Sequence, residues 1–429
     1  MKKFYILLIA MVALNVANAQ WTALSSGTSN GLSSVYFPDD TTGYAVGWWK
    51  ILKTSNAGES WTTVYDTLFA IYDGLNSVYF PDANTGYAVG GRGKIIKTAD
   101  GGKNWTVQSF FGDEYYTFTS VYFSNTQTGY VVGYVGGGGY SAPFGRILQT
   151  TDGGLTWSIA VIPAYLNHVF FTTPQIGYVT GYLSTVNGEF YGIILKTNDG
   201  GATWVTEYTS VTANSKFGEI YFTDSTKGFV VSNHRVNYSD WVGTILKTID
   251  GGKTWTDLLN YNIIGGLSSI SFPTADTGYA VGEGKLDQPK HITIIKTTDA
   301  GLNWTAQSSG DTNRLCSVYF TDSNTGYAVG SWGTILKTTN GGGWGIGIGE
   351  NSFASAPLKI SPNPPSSIIT IETPTKGSLA ILNLDGQLIL HKETTEPTTT
   401  IDVYRLKSGI YFVRLTGERM VQVGKFVKQ

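Results

Sequence analysis

Short apolar runs, each fenced by glycine and small polar residues, recur along the first 340 or so positions of this 429-residue chain. Ser34-Val35-Tyr36-Phe37 opens one period, and equivalents begin at Ser77, Ser120, His168, Glu219, Ser269 and Ser317. After each come a polar turn, a run like Gly-Tyr-Ala-Val-Gly, a run like Ile-Leu-Lys-Thr, and a turn ending in tryptophan. In the second period these predict strands at 77–80, 87–90, 95–98 and 105–107, because β-prone runs are separated by turns that need glycine. No stretch keeps an apolar period near 3.6, so helices are not expected. Four strands per roughly 43 to 51 residues mark a propeller blade rather than a helical or leucine-rich repeat.

The seventh period runs past Trp344 into Gly345-Ile346-Gly347 without an outer strand. The missing piece stands at the other end: Trp21-Thr22-Ala23-Leu24-Ser25-Ser26-Gly27 nearly copies Trp304-Thr305-Ala306-Gln307-Ser308-Ser309-Gly310. The expected fold is an all-β, seven-bladed β-propeller over 20–344, closed by an N-terminal strand that leaves no open sheet edge.

Composition agrees, with 14% aromatic and only 14% charged residues and 54 glycines. Met1-Lys2-Lys3, an apolar run over 4–16 and Ala17-Asn18-Ala19 read as a secretory signal peptide at 1–19, directing Sec export to the periplasm. The run is too short to span a bilayer, and no later one is long enough, so no transmembrane segment is expected. Cys316 is the one cysteine, which excludes an intramolecular disulfide and is read as a buried apolar residue. Setting aside the leader and the tail after 357, 18 basic and 25 acidic residues remain, about −7, the wrong sign for nucleic acid or an anionic membrane.

After a linker at 345–356 the repeat vanishes. Short strands at 368–373, 378–384, 387–392, 399–403, 410–415 and 420–427, with an Asp385-Gly386 hairpin signal, predict a small β-sandwich over 357–429. Ser361-Pro362-Asn363-Pro364, Asn383-Leu384-Asp385-Gly386-Gln387, Leu406-Lys407-Ser408-Gly409-Ile410-Tyr411-Phe412-Val413 and the terminal Gly424-Lys425-Phe426-Val427-Lys428-Gln429 resemble the type A sorting domain of type IX secretion. That resemblance implies the type IX machinery as a partner, export to the outer surface, removal of the tail, and attachment or release.

Thr98-Ala99-Asp100-Gly101-Gly102-Lys103-Asn104-Trp105 follows the pattern S/T-x-D-x-G-x-x-W and resembles the Asp box of neuraminidase-type repeats. Asp100, Asp152, Asp199, Asp250 and Asp299 are read as acceptors for turn N–H groups, with Asn56 and Asn340 in variant copies and the seven box tryptophans as core. One aspartate per distant turn is no ligand cluster, so neither metal nor cofactor is expected. Lys53, Lys97, Lys196, Lys247, Lys296 and Lys337, with Gln149 in period three, share one strand position and are read as structural, their stems on the sheet.

A site needs residues that break the repeat. The connections between second and third strands are short in periods seven, one and two but long at 134–146, 182–192, 233–244 and 283–293. They wall one face that carries Trp48, Trp49, Tyr140, Phe144, Phe190, Tyr191, Tyr238, Trp241 and Trp332, which suit sugar rings or peptide side chains. Arg92, Arg146, Arg235 and Arg314, the propeller's arginines, fall on the same face and could hold a carboxylate or phosphate. His168 and Glu219 stand where the other periods have serine. They are candidates for a polar ligand or, in an enzyme, for acid–base work.

The run Gly243-Thr244-Ile245-Leu246-Lys247-Thr248-Ile249-Asp250-Gly251-Gly252-Lys253-Thr254-Trp255, among Gly-Tyr-Ala-Val-Gly strands, resembles the repeat of the photosystem II stability/assembly factor family. Those are non-catalytic propellers that chaperone a membrane complex, which implies the fold and binding of protein or peptide. The Asp box also occurs in sialidases and xyloglucan-degrading propellers. A sialidase arginine triad cannot be matched to these four arginines, and the xyloglucan enzymes use two propellers where this chain has one. The expectation is a secreted or surface propeller that binds a protein or polysaccharide, with an extracellular glycoside hydrolase as the alternative.

Overall fold

A computed structural model describes residues 21–66, 74–109, 116–135, 144–185, 187–236, 241–258, 265–284, 293–343, 358–365, 367–372, 377–383, 388–394, 396–416 and 421–428. The expected leader and linker, Trp344, Tyr140, Tyr238 and the Asp385-Gly386 turn lie outside the described residues. The chain divides into two compact units, Met1–Ile346 and Gly347–Gln429.

The first unit consists of four-stranded antiparallel sheets, seven among the described residues. Numbered along the chain, sheet one runs from Leu32–Tyr36 to Thr62–Asp66, sheet two from Leu75–Tyr79 to Thr106–Ser109, and sheet three from Tyr116–Phe123 to Ser158–Ile162. Sheet four runs from Tyr165–Phe171 to Val205–Thr209, sheet five from Ser215–Phe222 to Thr256–Asp257, and sheet six from Leu267–Ser271 to Thr305–Gln307. Sheet seven joins Leu315–Phe320, Gly326–Gly330 and Ile335–Thr338 to Thr22–Leu24, with Thr22 opposite Lys337 and Leu24 opposite Ile335.

Each second strand is buried along its repeated five-residue run because sheets cover it on both sides, which is why it reads Gly-Tyr-Ala-Val-Gly rather than alternating apolar and polar. Its last glycine faces a bulge in the inner strand: a Cβ on Gly90 would lie 2.0 Å from the Gly74 carbonyl oxygen, and one on Gly330 2.1 Å from that of Arg314. Sheet five departs, with Ser232 at this place and a wider register shift between Phe217 and Ile220.

Aromatic rings join the sheets. Tyr44 stacks on Phe80 of the next sheet at 4.0 Å between centroids, and the same pair recurs as Tyr87–Phe123, Tyr130–Phe171, Tyr178–Phe222, Phe229–Phe272 and Tyr279–Phe320. Tyr327 then stacks on Phe37, joining sheet seven to sheet one at 4.0 Å. Each of these phenylalanines also meets a tryptophan edge-on: Trp61, Trp105, Trp157, Trp204, Trp255 and Trp304 in sheets one to six. In sheet seven the partner of Phe320 is Trp21, fully buried, at 5.8 Å and 87°. The box tryptophan of that sheet is thus supplied by the N-terminus, where the repeat had assigned Trp344.

In the expected long connections of sheets three to five, the described residues are mostly strand. Gly129–Val135 pairs with Phe144–Thr150, Gly177–Ser184 with Phe190–Thr197, and Gly228–Arg235 with Trp241–Thr248, so the hairpins extend by two or three residues on each side. Tyr134, Tyr182, Phe190 and Trp241 are β-prone and continue the ladder instead of breaking it.

In the second unit Ile360–Ser361, Ile368–Glu372 and Thr398–Asp402 form one sheet, and Leu388–Thr394, Gly377–Leu382, Gly409–Thr416 and Val421–Lys428 form another. Ile369, Ile371 and Ile401 of the first share one core with Leu379, Ile381, Val413 and Phe426 of the second.

Candidate functional site

Residues common to the sheets are occupied in holding neighbours together. In the Asp-box turns Thr98 Oγ1 donates to Asp100 Oδ1 at 2.8 Å, and the same oxygen accepts the Asn104 N–H at 2.9 Å. Such bonds hold the Asp100, Asp152, Asp199 and Asp250 carboxyls down at about 2. The repeated lysines do more than lay stems on the sheet. Lys53 Nζ donates to the Gly101 carbonyl of the next turn at 2.7 Å, Lys97 to Gly153 at 2.8 Å, and Gln149 Nε2 to Gly200 at 2.9 Å. Lys196, Lys247, Lys296 and Lys337 do likewise to Gly251, Ala300, Gly341 and Ala57.

A second series places His168 and Glu219. The side chain opening each inner strand accepts a backbone N–H from the next sheet: Ser34 from Val78, Ser77 from Val121, Ser120 from Val169, Ser269 from Val318 and Ser317 from Val35. His168 Nδ1 takes the same role toward Ile220 N–H at 3.5 Å, and Glu219 Oε2 toward Ile270 N–H at 3.1 Å. With Nδ1 accepting, the neutral ring carries its proton on Nε2, which faces Glu219 Oε1 at 3.6 Å. Desolvation pushes the Glu219 carboxyl up to about 7 against the lowering effect of Ser269 and the Ile270 N–H, and lowers the His168 imidazole to about 4.

Apart from this pair, Trp48, Trp49 and Arg92 meet in a cleft of about 290 Å3 that Ser33, Asn76, Tyr116 and Thr117 complete. Trp48 and Trp49 cross edge-to-face at 5.1 Å. The Arg146 guanidinium lies 6.0 Å from the Tyr116 ring centre and 5.9 Å from that of Phe144, beside the same cleft. Sequence reasoning missed Asn76 and Tyr116. Tyr116 carried a signal, an aromatic upstream of the repeated Ser120-Val121-Tyr122-Phe123 run and outside the repeat, whereas Asn76 carried none.

Arg235 and Trp241 lie elsewhere, on the extended hairpin of sheet five. There Lys216 Nζ sits 4.5 Å from the Tyr182 ring centre, 4.3 Å from Phe190 and 4.9 Å from Trp241, clamping sheets four and five. Burial, with Arg235 nearby, lowers the Lys216 ammonium from its usual range. Trp332 is 75% exposed on the turn of sheet seven, beside a second hollow of about 360 Å3. Arg314 accepts the Ser331 N–H through its carbonyl and stands near Cys316, which is half-buried rather than buried as expected, its thiol pushed up by desolvation against the lowering effect of Arg314.

Comparisons with known proteins follow these two units. Residues 67–164 match the family model described as photosynthesis system II assembly factor YCF48, and residues 359–429 match the secretion system C-terminal sorting domain. No curated protein matches the sequence. Among solved structures, YCF48 bound to D1 peptide is 17% identical with a TM-score of 0.54, covering 75% of this chain and 97% of its own. YCF48 from Cyanidioschyzon merolae is 19% identical at 0.52, covering 74% and 98%. The GH74 enzyme of Niastella koreensis is 14% identical at 0.56, covering 94% and 74%. At such identities the likeness carries the fold alone. No helix among the described residues is long and apolar enough to cross a membrane. The chain is therefore an all-β, propeller-like protein similar to the YCF48 assembly factors in its first unit, and its sorting-domain match gives it a secreted or outer-surface location.

Proposed function

We propose that the first unit is a seven-bladed ring closed by the Thr22–Leu24 strand, working outside the cell as a non-catalytic binding module for a protein or glycan ligand. The ring reading is supported by the stacked aromatic pairs and inner-strand hydrogen bonds that lead from sheet seven back to sheet one. The binding reading rests on one observation above all: Trp48, Trp49, Arg92 and Tyr116, from three neighbouring sheets, converge on one cleft. A concave aromatic surface with a few convergent polar groups is what ligand recognition requires. One solved relative, YCF48, is bound to a peptide, which favours the same class of role here.

A glycoside hydrolase is the contrasting reading, favoured by the Glu219 carboxyl near 7 beside His168. Hydrolysis of a glycosidic bond ordinarily needs two facing carboxyls. Glu219 instead meets His168, Ser269 and a backbone N–H, as an inner-strand serine would. The deciding experiment probes glycan and peptide arrays with the full chain and then assays each hit for turnover. Trp49→Ala and Arg92→Ala are expected to weaken retention about tenfold each without loss of folding, a change of about 1.4 kcal/mol. Turnover that disappears in Glu219→Gln while binding persists would overturn the non-catalytic reading.

The finer account of export is also a proposal: the leader at 1–19 is removed, and the tail beyond about residue 357 is cleaved by the type IX machinery, its match being the support. Intact-mass measurement of surface-released protein checks this, and a mature species still ending at Gln429 counts against it.

A further inference from the structure

Besides the cleft of sheets one to three, a second hollow stands at the turn of sheet seven, beside sheet one. The second is lined by Ser26, Thr28, Asp311, Thr334 and Trp332, with a volume of about 360 Å3. Gly31 sits between them: a Cβ there would lie 3.2 Å from Trp48 Nε1 on one side and 3.8 Å from the Ser331 Cα on the other. Trp48 and the turn bearing Trp332 thus flank one glycine, and the two indoles are 53% and 75% exposed.

The exposure of Trp332 is enforced by backbone. Trp332 has φ 59° and ψ 27°, the left-handed region that a bulky residue avoids unless its surroundings hold it there. Thr334 N–H bonds to Ser331 O at 3.1 Å, Ser331 N–H to Arg314 O at 2.9 Å, and Gly333 lies so close to Thr28 O that no side chain fits. Arg92 takes the equivalent place in sheet two with φ 54°. A strained residue carrying a large, exposed ring marks a recognition tip better than a packing position.

We infer that Trp332 and Trp48 form a continuous platform for a polysaccharide of equatorially substituted pyranose rings, one hollow per ring cluster, an inference that rests on the binding role proposed above. The flat apolar face of such a ring matches an exposed indole, and its rim hydroxyls match hydroxyl and carboxylate groups. Asp311 already accepts from Thr334 Oγ1 at 3.1 Å and from the Asn313 N–H at 2.8 Å, which fixes its carboxylate at the hollow. A peptide is the poorer fit. An extended peptide gains by pairing with an open strand edge, whereas here Leu75 N–H is taken by Trp48 O and Gly91 N–H by Gly74 O.

The test titrates the full-length protein with cellohexaose and with maltohexaose, following tryptophan fluorescence and calorimetry, beside the peptide array. Cellohexaose is expected to bind, maltohexaose at least about tenfold more weakly, and Trp332→Ala and Trp48→Ala each to weaken cellohexaose binding about tenfold. Unchanged cellohexaose affinity in both variants, with thermal unfolding intact, would overturn the platform while leaving the binding role standing. Retention of peptides with no affinity for cellohexaose would do the same. Failure of every glycan and peptide to bind would instead sink the underlying role.

Discussion

Deleting residues 21–27 is expected to destabilise the whole first unit rather than fray one end. Trp21 has no exposed surface, meeting Phe320 edge-on at 5.8 Å and Tyr279 at 6.2 Å. Truncating a buried tryptophan costs about 3–5 kcal/mol by itself. The deletion also strips the Ile335–Thr338 strand of its outer partner, exposing an edge that the ladder from Thr22 to Leu24 now covers. A domain with typical stability of about 5–15 kcal/mol would lose a large share of it. Denaturant unfolding of the deletion and of Trp21→Ala should show a lower midpoint for both, with the deletion worse. An unchanged midpoint in the deletion would mean that the N-terminal strand is an appendage and not the fourth strand of sheet seven.

This pairing was legible because Trp21-Thr22-Ala23 repeats Trp304-Thr305-Ala306, and local copies are what sequence comparison detects best. The tryptophan was not legible, since both Trp21 and Trp344 fit the box and only packing against Phe320 chooses between them. The same limit hid the role of the lysines. Lys53 and its acceptor Gly101 are 48 residues apart, so a repeat that shows each blade's own pattern is silent on what one blade gives the next. In sheets three to five the aromatics that flank the connections, Tyr134, Tyr182 and Trp241 among them, signalled exposure while serving as strand. Trp241 illustrates the cost: its ring, singled out for a ligand, lies against Lys216 of its own sheet. Trp48, Trp49 and Arg92 came together because they break the repeat in adjacent short connections, where little else can bury them.

The His168–Glu219 pair should leave opposite pH signatures when its members are changed singly. Glu219 has its folded pKa raised to about 7, so the cost of ionising it in place is absent at low pH, grows as pH rises past the ordinary carboxyl range, and is complete above about 7. His168 has its folded pKa lowered to about 4, so its cost is absent above the ordinary imidazole range, grows as pH falls, and is complete below about 4. The two slopes oppose each other across the interval between, and the native pair should show little net pH dependence there. Glu219→Gln keeps an acceptor for the Ile270 N–H but removes the ionisation, so it should stabilise the protein at pH 8 and lose that advantage by about pH 4.5. His168→Gln should do the reverse, gaining at pH 4 and not at pH 8. Water reaches about a quarter of each side chain, which screens the full shift and leaves an effect on the order of 2 kcal/mol. Urea midpoints of the three proteins between pH 4 and 8 measure it. Parallel profiles would show that neither group pays a folding penalty when charged, and that water reaches both as well as it does in the unfolded chain.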